Sequence, residues 1–223
     1  MQGTKKRFVF RLILCVTGMF ICALGTVLML RADLGMNPWG ILHQGMSLKL
    51  GISFGRASQY LGLAIVVFCA LFRCYPGIAT VLYIFFFGYF TDLLQSAVTM
   101  SRAHSVAVSW LLLFVGNTLL AAGSCLYLCQ KLGAGPKDEL MLLITQKIRV
   151  DVAKVRIGME LTAVLLGYLM GGPFGMGTLF CALSFGPTLR RFLQLCGYDA
   201  KSVHQENILD TMKEICSNSS NKK

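Results

Sequence analysis

The sequence predicts an all-α membrane protein with six transmembrane helices. They are expected to form two inverted three-helix repeats, and each repeat contains a short interfacial or re-entrant helix after an LGxxP motif. Three observations lead to this fold class: the composition, the long apolar runs and an internal repeat. Of the 223 residues, 55% are hydrophobic and only 14% are charged, whereas a soluble domain has about 25% charged residues. We therefore expect the chain to lie in a lipid bilayer.

Six apolar runs lack a polar face, and several reach the roughly 17 to 25 residues that cross a bilayer. The first run follows a basic start, as in a secretion signal, but it is about twice as long as the apolar region of a signal. It also aligns with the fourth run, so we expect it to be retained as a helix. The predicted spans are residues 8–30, 57–72, 77–94, 106–129, 157–170 and 174–189.

The internal repeat is clearest at the motif. LGMNPWGIL at residues 34–42 recurs as LGAGPKDEL at residues 132–140, with Leu, Gly, Pro and Leu in the same frame. The offset of 98 residues, as between Gly35 and Gly133, holds without a gap over most of the chain, which indicates a duplication. Because each half contains three spans, an odd number, the halves must enter the membrane from opposite sides.

The charge distribution predicts the orientation. The net charge is +11, but with a cytoplasmic amino terminus and six spans, only Arg31, Lys49, Arg56 and Arg102 of the basic residues lie outside. This is the asymmetry of the positive-inside rule. We therefore expect both termini in the cytoplasm and a basic tail near anionic lipid, and no nucleic-acid partner.

These inferences divide the chain into five segments. They are a basic cytoplasmic N-terminus (1–7), a first transmembrane repeat (8–95), an outer connecting loop (96–105), a second transmembrane repeat (106–191) and a cytoplasmic tail (192–223). Within the repeats, four glycines are interpreted as helix-packing positions rather than binding positions. They are Gly62, Gly88, Gly158 and Gly186.

Each motif is expected to start a short helix. Asn37 is a good N-cap and Pro38 suits the first helical position, and Gly135 and Pro136 repeat this pattern. The unpaired N–H groups and positive dipole ends of such helix starts favour an anionic group. The substrate-binding candidates are Asn37, Pro38, Trp39, His43, Gly135, Pro136 and Asp138.

Two of these candidates have a simpler interpretation. Trp39 fits an anchor at the membrane interface, and His43 on an interfacial helix fits a solvated side chain. Asp138 and Glu139 partly cancel the positive end of the second short helix. An asymmetric site is therefore favoured, in which one end binds substrate and a carboxylate holds a proton or cation.

Candidates for the coupling ion or proton are Glu160, Arg156 and Glu139. A carboxylate within a span is costly enough to suggest a function, and Glu160 lies within the fifth predicted span. The alternative is that Glu160 pairs with Arg156 one helical turn earlier, where an i, i+4 ion pair is inexpensive.

No metal site and no cofactor are predicted. Most of the nine cysteines lie within predicted spans, without a CxxC pair or a histidine cluster, and free cysteine packs as a small apolar residue. Enzymatic activity is not expected, because phosphate-binding, zinc-protease and nucleophile-elbow motifs do not occur.

The two LGxxP frames, the step from Arg156 to Glu160 and the glycine-rich segment at residues 172–178 resemble the bacterial YczE/YyaS/YitT-like family of integral membrane proteins. The resemblance covers roughly residues 11–189, and LGAGPKD at 132–138 is its most specific part. It implies the same architecture and a bacterial cell (inner) membrane. The chain departs from the family pattern at Lys137, where arginine is usual, and at Glu139, where glycine is usual.

Two similar gates around a central site are the simplest use of inverted repeats. The sequence therefore favours a secondary transporter or permease for a small solute, working by alternating access. The alternatives are a substrate-binding membrane subunit of a larger transport complex, and a membrane sensor or accessory protein without transport activity. A homo-oligomer or a partner membrane protein is compatible with each of them.

Overall fold

A computed structural model describes residues 2–97 and 105–197, with side chains from residue 6 onward. The described part of the chain folds into α-helices joined by short turns. They are α1 (Gln2–Ala32), α2 (Pro38–Leu50), α3 (Phe54–Leu71), α4 (Ile78–Ala97), α5 (Val106–Leu128), α6 (Pro136–Ile148), α7 (Val152–Leu169) and α8 (Met176–Leu195).

The helices extend beyond several of the predicted segments. Helix α1 includes most of the predicted N-terminal segment 1–7, α4 extends into the predicted loop 96–105, and α8 extends into the predicted tail 192–223. Residues 98–104 and 198–223 lie outside the described residues. The apolar runs marked the helix centres, and the helices continue into polar flanks because backbone hydrogen bonding does not stop where the apolar side chains do.

Four helices are long and apolar enough to cross a membrane: α1 from Lys6, α3, α4 and α5. Helices α7 and α8 are of similar length but less uniformly apolar, since α7 contains Lys154, Arg156 and Glu160 and α8 contains Arg190 and Arg191. The protein is therefore an all-helical membrane protein, and four helices of its described residues are candidates for crossing the membrane.

The offset of 98 residues is present in the backbone itself. Helices α6, α7 and α8 begin and end 98 residues after α2, α3 and α4. Left-handed backbone conformations follow the same offset. Their pairs are Asp33 and Lys131, Gly35 and Gly133, Gly51 and Arg149, and Arg73 and Gly171. Such conformations are rare for residues other than glycine, so their recurrence at equivalent positions shows that the two halves share one backbone path.

Helices α1 and α5 pack antiparallel along glycines. A Cβ on Gly25 would lie 2.5 Å from the Gly116 carbonyl oxygen, and a Cβ on Gly123 would lie 2.5 Å from that of Gly18. These two contacts are equivalent under the offset. Small residues of this kind allow two helix backbones to approach closely, and α1 and α5 thereby form the centre of the fold.

The loop before each short helix is bound by the other half. The Leu34 carbonyl accepts a hydrogen bond from the Gly177 N–H at 2.8 Å, and the equivalent Leu132 carbonyl accepts one from the Ala79 N–H at 2.9 Å. Both N–H groups lie in the first turn of a helix, where no partner exists within the helix. Each half therefore caps a helix of the other.

The short helices also pack across the halves. Helix α2 lies on α7, and a Cβ on Gly45 would lie 2.4 Å from the Gly167 carbonyl oxygen. Helix α6 lies on α3, where Leu143 joins a buried cluster with Ile65 and Cys69. The motif helices are thus held by the opposite repeat.

The interpretation of four glycines as packing positions is half wrong. A Cβ on Gly62 or Gly88 would meet neighbouring atoms within 3.0 Å, but a Cβ on Gly158 or Gly186 would meet nothing within 4 Å. Gly158 lies on the exposed face of α7, and Gly186 lines a cavity. Gly186 is the repeat partner of Gly88, but the neighbouring helix is not equally close in both halves.

Candidate solute-binding site between the motif helices

The start of α2 is built as its sequence predicts. Asn37 is the N-cap, and its Oδ1 accepts a hydrogen bond from the Gly40 N–H at 2.7 Å. Pro38 occupies the first helical position, and Gly51 ends the helix in a left-handed conformation. The predicted roles of Asn37 and Pro38 are confirmed.

The start of α6 has the same path but different chemistry. Gly135 is the N-cap and has no side chain to accept a capping hydrogen bond, and Asp138 and Glu139 lie in the first turn. Their carboxylates are stabilised by the positive end of the helix dipole. The two equivalent helix starts therefore differ in charge.

Both helix starts face one cavity of about 70 Å³. A buried water molecule needs at least about 10 to 15 Å³ of cavity volume, so the cavity has room for several waters or a small solute group. We call it the aromatic chamber. Its lining includes Asn37, Trp39, Gly40, His43, Ser58, Gly62, Tyr83, Phe87, Ser124, Tyr127, Gly135, Pro136 and Lys137.

Two further cavities, of about 20 and 90 Å³, lie beside the aromatic chamber. We call them together the charged chamber. Both are lined by Trp39, Lys137, Arg156 and Glu160, the smaller also by Asp138, and the larger also by Asn37, Pro38 and Phe185.

The two chambers are related by the repeat. Ser58 of the aromatic chamber corresponds to Arg156 of the charged one, and Gly62 corresponds to Glu160. Trp39 and Lys137, which correspond to each other, line all three cavities. This pair of equivalent positions therefore stands between the chambers.

Lys137 is the central basic group. Its Nζ lies 5.4 Å from the centre of the Phe185 ring, a cation–π distance. Burial, followed by the positive charge of Lys137, lowers the pKa of His43 to about 3. His43 also packs edge to face on Phe54 at 5.5 Å between ring centres. Its imidazole is therefore neutral at physiological pH and can donate one hydrogen bond and accept another.

Arg156 and Glu160 are paired. The Arg156 Nε donates to the Glu160 Oε1 at 3.1 Å, one helical turn apart, and the two side chains are 42% and 29% exposed. This is the pairing given above as the alternative to proton coupling. The pair is half exposed and lines the charged chamber.

Glu139 points away from both chambers. Its Oε1 contacts the Gly77 N–H at 3.1 Å and the Thr80 hydroxyl, and its Oε2 has no hydrogen-bond partner among the described residues. The Thr80 Oγ1 also lies 2.5 Å from the Ala134 carbonyl oxygen. A hydroxyl has one proton, so Thr80 can donate to only one of these two oxygen atoms at a time.

Burial raises the pKa of Glu139, against the hydrogen bonds from Thr80 and Gly77, while Asp138 adds to the increase. Glu139 is 7% exposed. Burial therefore favours a neutral carboxyl group, and the two hydrogen bonds oppose it in part.

The structure brings nine of the ten predicted site residues to the chambers and places Glu139 behind them. Sequence reasoning did not include Lys137, Tyr83, Tyr127 or Ser58 among the candidates. Lys137 could have been found, because it is the repeat partner of Trp39. The tyrosines lie in long apolar helices, where nothing in the sequence separates a cavity-facing side chain from a packed one.

A profile described as a family of unknown function, DUF6198, matches residues 9–194. The chain belongs to this family.

Relatives of this DUF6198 chain are bacterial. An "Uncharacterized membrane protein YczE" of Bacillus subtilis is 34% identical over 200 residues, which cover 87% of this chain and 92% of that protein. An "Uncharacterized protein" of Haemophilus influenzae is 31% identical, over 78% of this chain and 79% of that protein. An "Uncharacterized protein YyaS" of Bacillus subtilis is 26% identical, over 80% and 90%. No solved structure matches the chain.

The DUF6198 match and these relatives confirm the resemblance to the YczE-like bacterial membrane family. Together with the four long apolar helices, they identify the chain as a membrane protein in contact with the lipid bilayer.

Proposed function

We propose that the protein is a secondary transporter or permease for a small solute, working by alternating access between two inverted repeats. The observation that carries this proposal is the position of Trp39 and Lys137. These equivalent residues, one from each motif helix, stand between two chambers that the repeat relates to each other. Such a centre can open to one chamber or to the other.

Six membrane crossings are part of the proposal. Helices α7 and α8 present large apolar side chains outward, among them Leu161 and Leu169 of α7 and Leu183 of α8, which are 65%, 70% and 78% exposed. Lipid would cover these surfaces. Of their charged residues, Arg156 and Glu160 line a cavity, as ionisable residues within membranes usually do.

Inversion follows from six crossings. Helices α2 and α6 would then start together at the centre and end at opposite membrane faces, as broken helices do in other inverted-repeat transporters. Positive residues predominate on the side of both termini under this arrangement, which puts those termini in the cytoplasm.

The proposed solute carries an anionic group and an apolar or aromatic part. Two helix starts and Lys137 face the aromatic chamber, and both features attract an anion. Arg156 is already engaged by Glu160 at 3.1 Å, whereas the charge of Lys137 lies over an aromatic ring. Trp39, Tyr83 and Phe87 supply flat apolar surface beside it.

Glu139 is the proposed proton carrier. It is a buried carboxyl whose burial favours the neutral form, whereas Glu160 has a basic partner. Glu139 joins the first turn of α6 to the start of α4, so loss of its proton would place an uncompensated charge at a junction between the halves. A charge buried in this way is costly, and it would favour a different packing of that junction.

The test is uptake into proteoliposomes containing the purified protein, with a panel of small carboxylates and phosphates and an imposed pH gradient. We expect accumulation of one solute class. Lys137→Met should lower the affinity of the protein for that solute by about tenfold or more, because one charge-assisted contact is lost. Lys137→Arg should keep the wild-type affinity. Binding without accumulation would favour a substrate-binding subunit, and no binding across the panel would contradict the proposal.

A further inference from the structure

Three cysteines from two helices come together at one end of the molecule. Cys125 and Cys129 lie one turn apart at the end of α5, and Cys196 follows α8. The three sulfur atoms lie within 4.8 Å of one another. Cys125 Sγ is 3.7 Å from Cys129 Sγ and 3.7 Å from Cys196 Sγ.

These separations match a thiolate metal site. Zinc binds thiolate sulfur at about 2.3 Å, and a regular tetrahedron of that size separates its sulfurs by about 3.8 Å. We propose that Cys125, Cys129 and Cys196 form a binding site for one soft divalent metal ion of the zinc type, with an open fourth position.

The surroundings fit a cation. Cys129 is the C-cap of α5 and Cys196 is the C-cap of α8, so both helices direct the negative end of their dipoles and unpaired carbonyl groups to this place. Burial decreases from Cys125 through Cys129 to the exposed Cys196, which leaves a path for an ion from the surface.

Binding needs no oxidant. The ion replaces the thiol protons, so three S–H bonds break, three metal–sulfur bonds form and three protons are released to solvent. The bound ion would link the ends of α5 and α8, which pack along each other. The site is independent of the proposed transport activity, and it departs from the expectation that the cysteines serve only as packing residues.

The test is titration of reduced, metal-free protein in detergent with Cd²⁺, followed by the sulfur-to-cadmium charge-transfer absorption, with Zn²⁺ as competitor. We expect one Cd²⁺ per chain, displaced by Zn²⁺, and a rise in the thermal unfolding temperature on binding. Cys196→Ser and Cys129→Ser should each weaken binding by roughly 100-fold or more and lower the absorption per ion.

Cys181→Ser is the matched control. The Cys181 thiol faces the Met29 sulfur at 3.8 Å, and its replacement should leave the titration unchanged. Because Cys196 is exposed, Cys196→Ser should fold normally, which its metal-free unfolding temperature checks. Unchanged Cd²⁺ binding by folded Cys196→Ser would overturn the proposal, and so would a disulfide among these cysteines in place of metal binding.

Discussion

The side chain of Glu139 occupies the position that Ile41 occupies in the first half, 98 residues earlier. Ile41 is fully buried, and Glu139 is 7% exposed. A carboxyl group thus stands at a site where the other repeat has an alkyl group. Its hydrogen bonds reach the start of α4, so its protonation state bears on stability as well as on the proposed coupling.

Replacing Glu139 with Gln should flatten the pH dependence of stability. The pKa of Glu139 is raised in the folded protein. The stability that this residue contributes is therefore fully present below the ordinary glutamate pKa of about 4.3, and it is lost as pH rises through the pKa of the folded state. The wild-type unfolding temperature should therefore fall more steeply than that of Glu139→Gln as pH rises from about 4 to 8. Thermal unfolding in detergent measures this difference.

The same variant separates coupling from binding. Glu139→Gln should bind solute but lose its response to a pH gradient. Glu160→Gln is the matched control, because Glu160 is partly exposed and paired with Arg156, and its uptake should respond to the pH gradient as in the wild type. An unchanged response of uptake in Glu139→Gln would remove Glu139 from the mechanism.

At this scale, local rules predicted part of the site. Asn37 and Pro38 have the roles that capping preferences assign them, and the Arg156 to Glu160 spacing gave the ion pair. The direction of Glu139 was not predictable from sequence, because it depends on Gly77 and Thr80, more than 50 residues earlier. The cysteine cluster was missed for the same reason, since Cys196 is 71 residues from Cys125.

The crossing of α1 and α5 shows what a glycine contributes to an element. Gly25→Ala and Gly123→Ala should each destabilise the protein by about 1 to 3 kcal/mol, the usual range for overpacking, because each added Cβ would lie 2.5 Å from a backbone oxygen of the facing helix. The two effects should be similar, since the positions are equivalent. Unfolding in detergent by heat or denaturant provides the measurement.

Gly158→Ala is the control for this pair. Its added Cβ meets nothing within 4 Å, and alanine is favoured over glycine within a helix by about 0.8 to 1.0 kcal/mol. This variant should be as stable as the wild type or slightly more stable. Destabilisation by Gly158→Ala equal to that of Gly25→Ala would mean that the close approach of α1 and α5 is not the cause of the effect.

Helix existence and order were predictable because the apolar runs and the repeat both mark them. Helix α6 begins at Pro136, as the motif predicts, and its exact partner in length is α2. The helix ends were less predictable, because α4 and α8 extend into polar sequence. Their termination depends on tertiary contacts that periodicity does not contain.

At the scale of the whole molecule, the inverted arrangement can be tested with Lys49 and Lys147. These residues are exposed, equivalent under the offset, and in the last turns of α2 and α6. In a cysteine-free background, Lys49→Cys should react with an impermeant thiol reagent on intact cells. Lys147→Cys should react only after the membrane is opened, because inversion places it inside.

Labelling of both positions from the same side would contradict the inverted arrangement. The two halves would then share a backbone path but would lie in the membrane in the same orientation. A cysteine-free variant without either replacement controls for labelling at other sites. This variant lacks Cys125, Cys129 and Cys196, so it should not bind Cd²⁺ at their site.

The exchange of caps between the halves also constrains biosynthesis. The first turn of α4 is completed by the Leu132 carbonyl, and the loop at Leu34 is completed by Gly177. When the first half leaves the ribosome, neither contact can yet form. The Ala79 N–H and the Leu34 carbonyl then lack these hydrogen-bond partners until the second half has been synthesised. Helix α8, the last helix among the described residues, closes a contact with the loop after α1, so the order of synthesis cannot be the order of assembly.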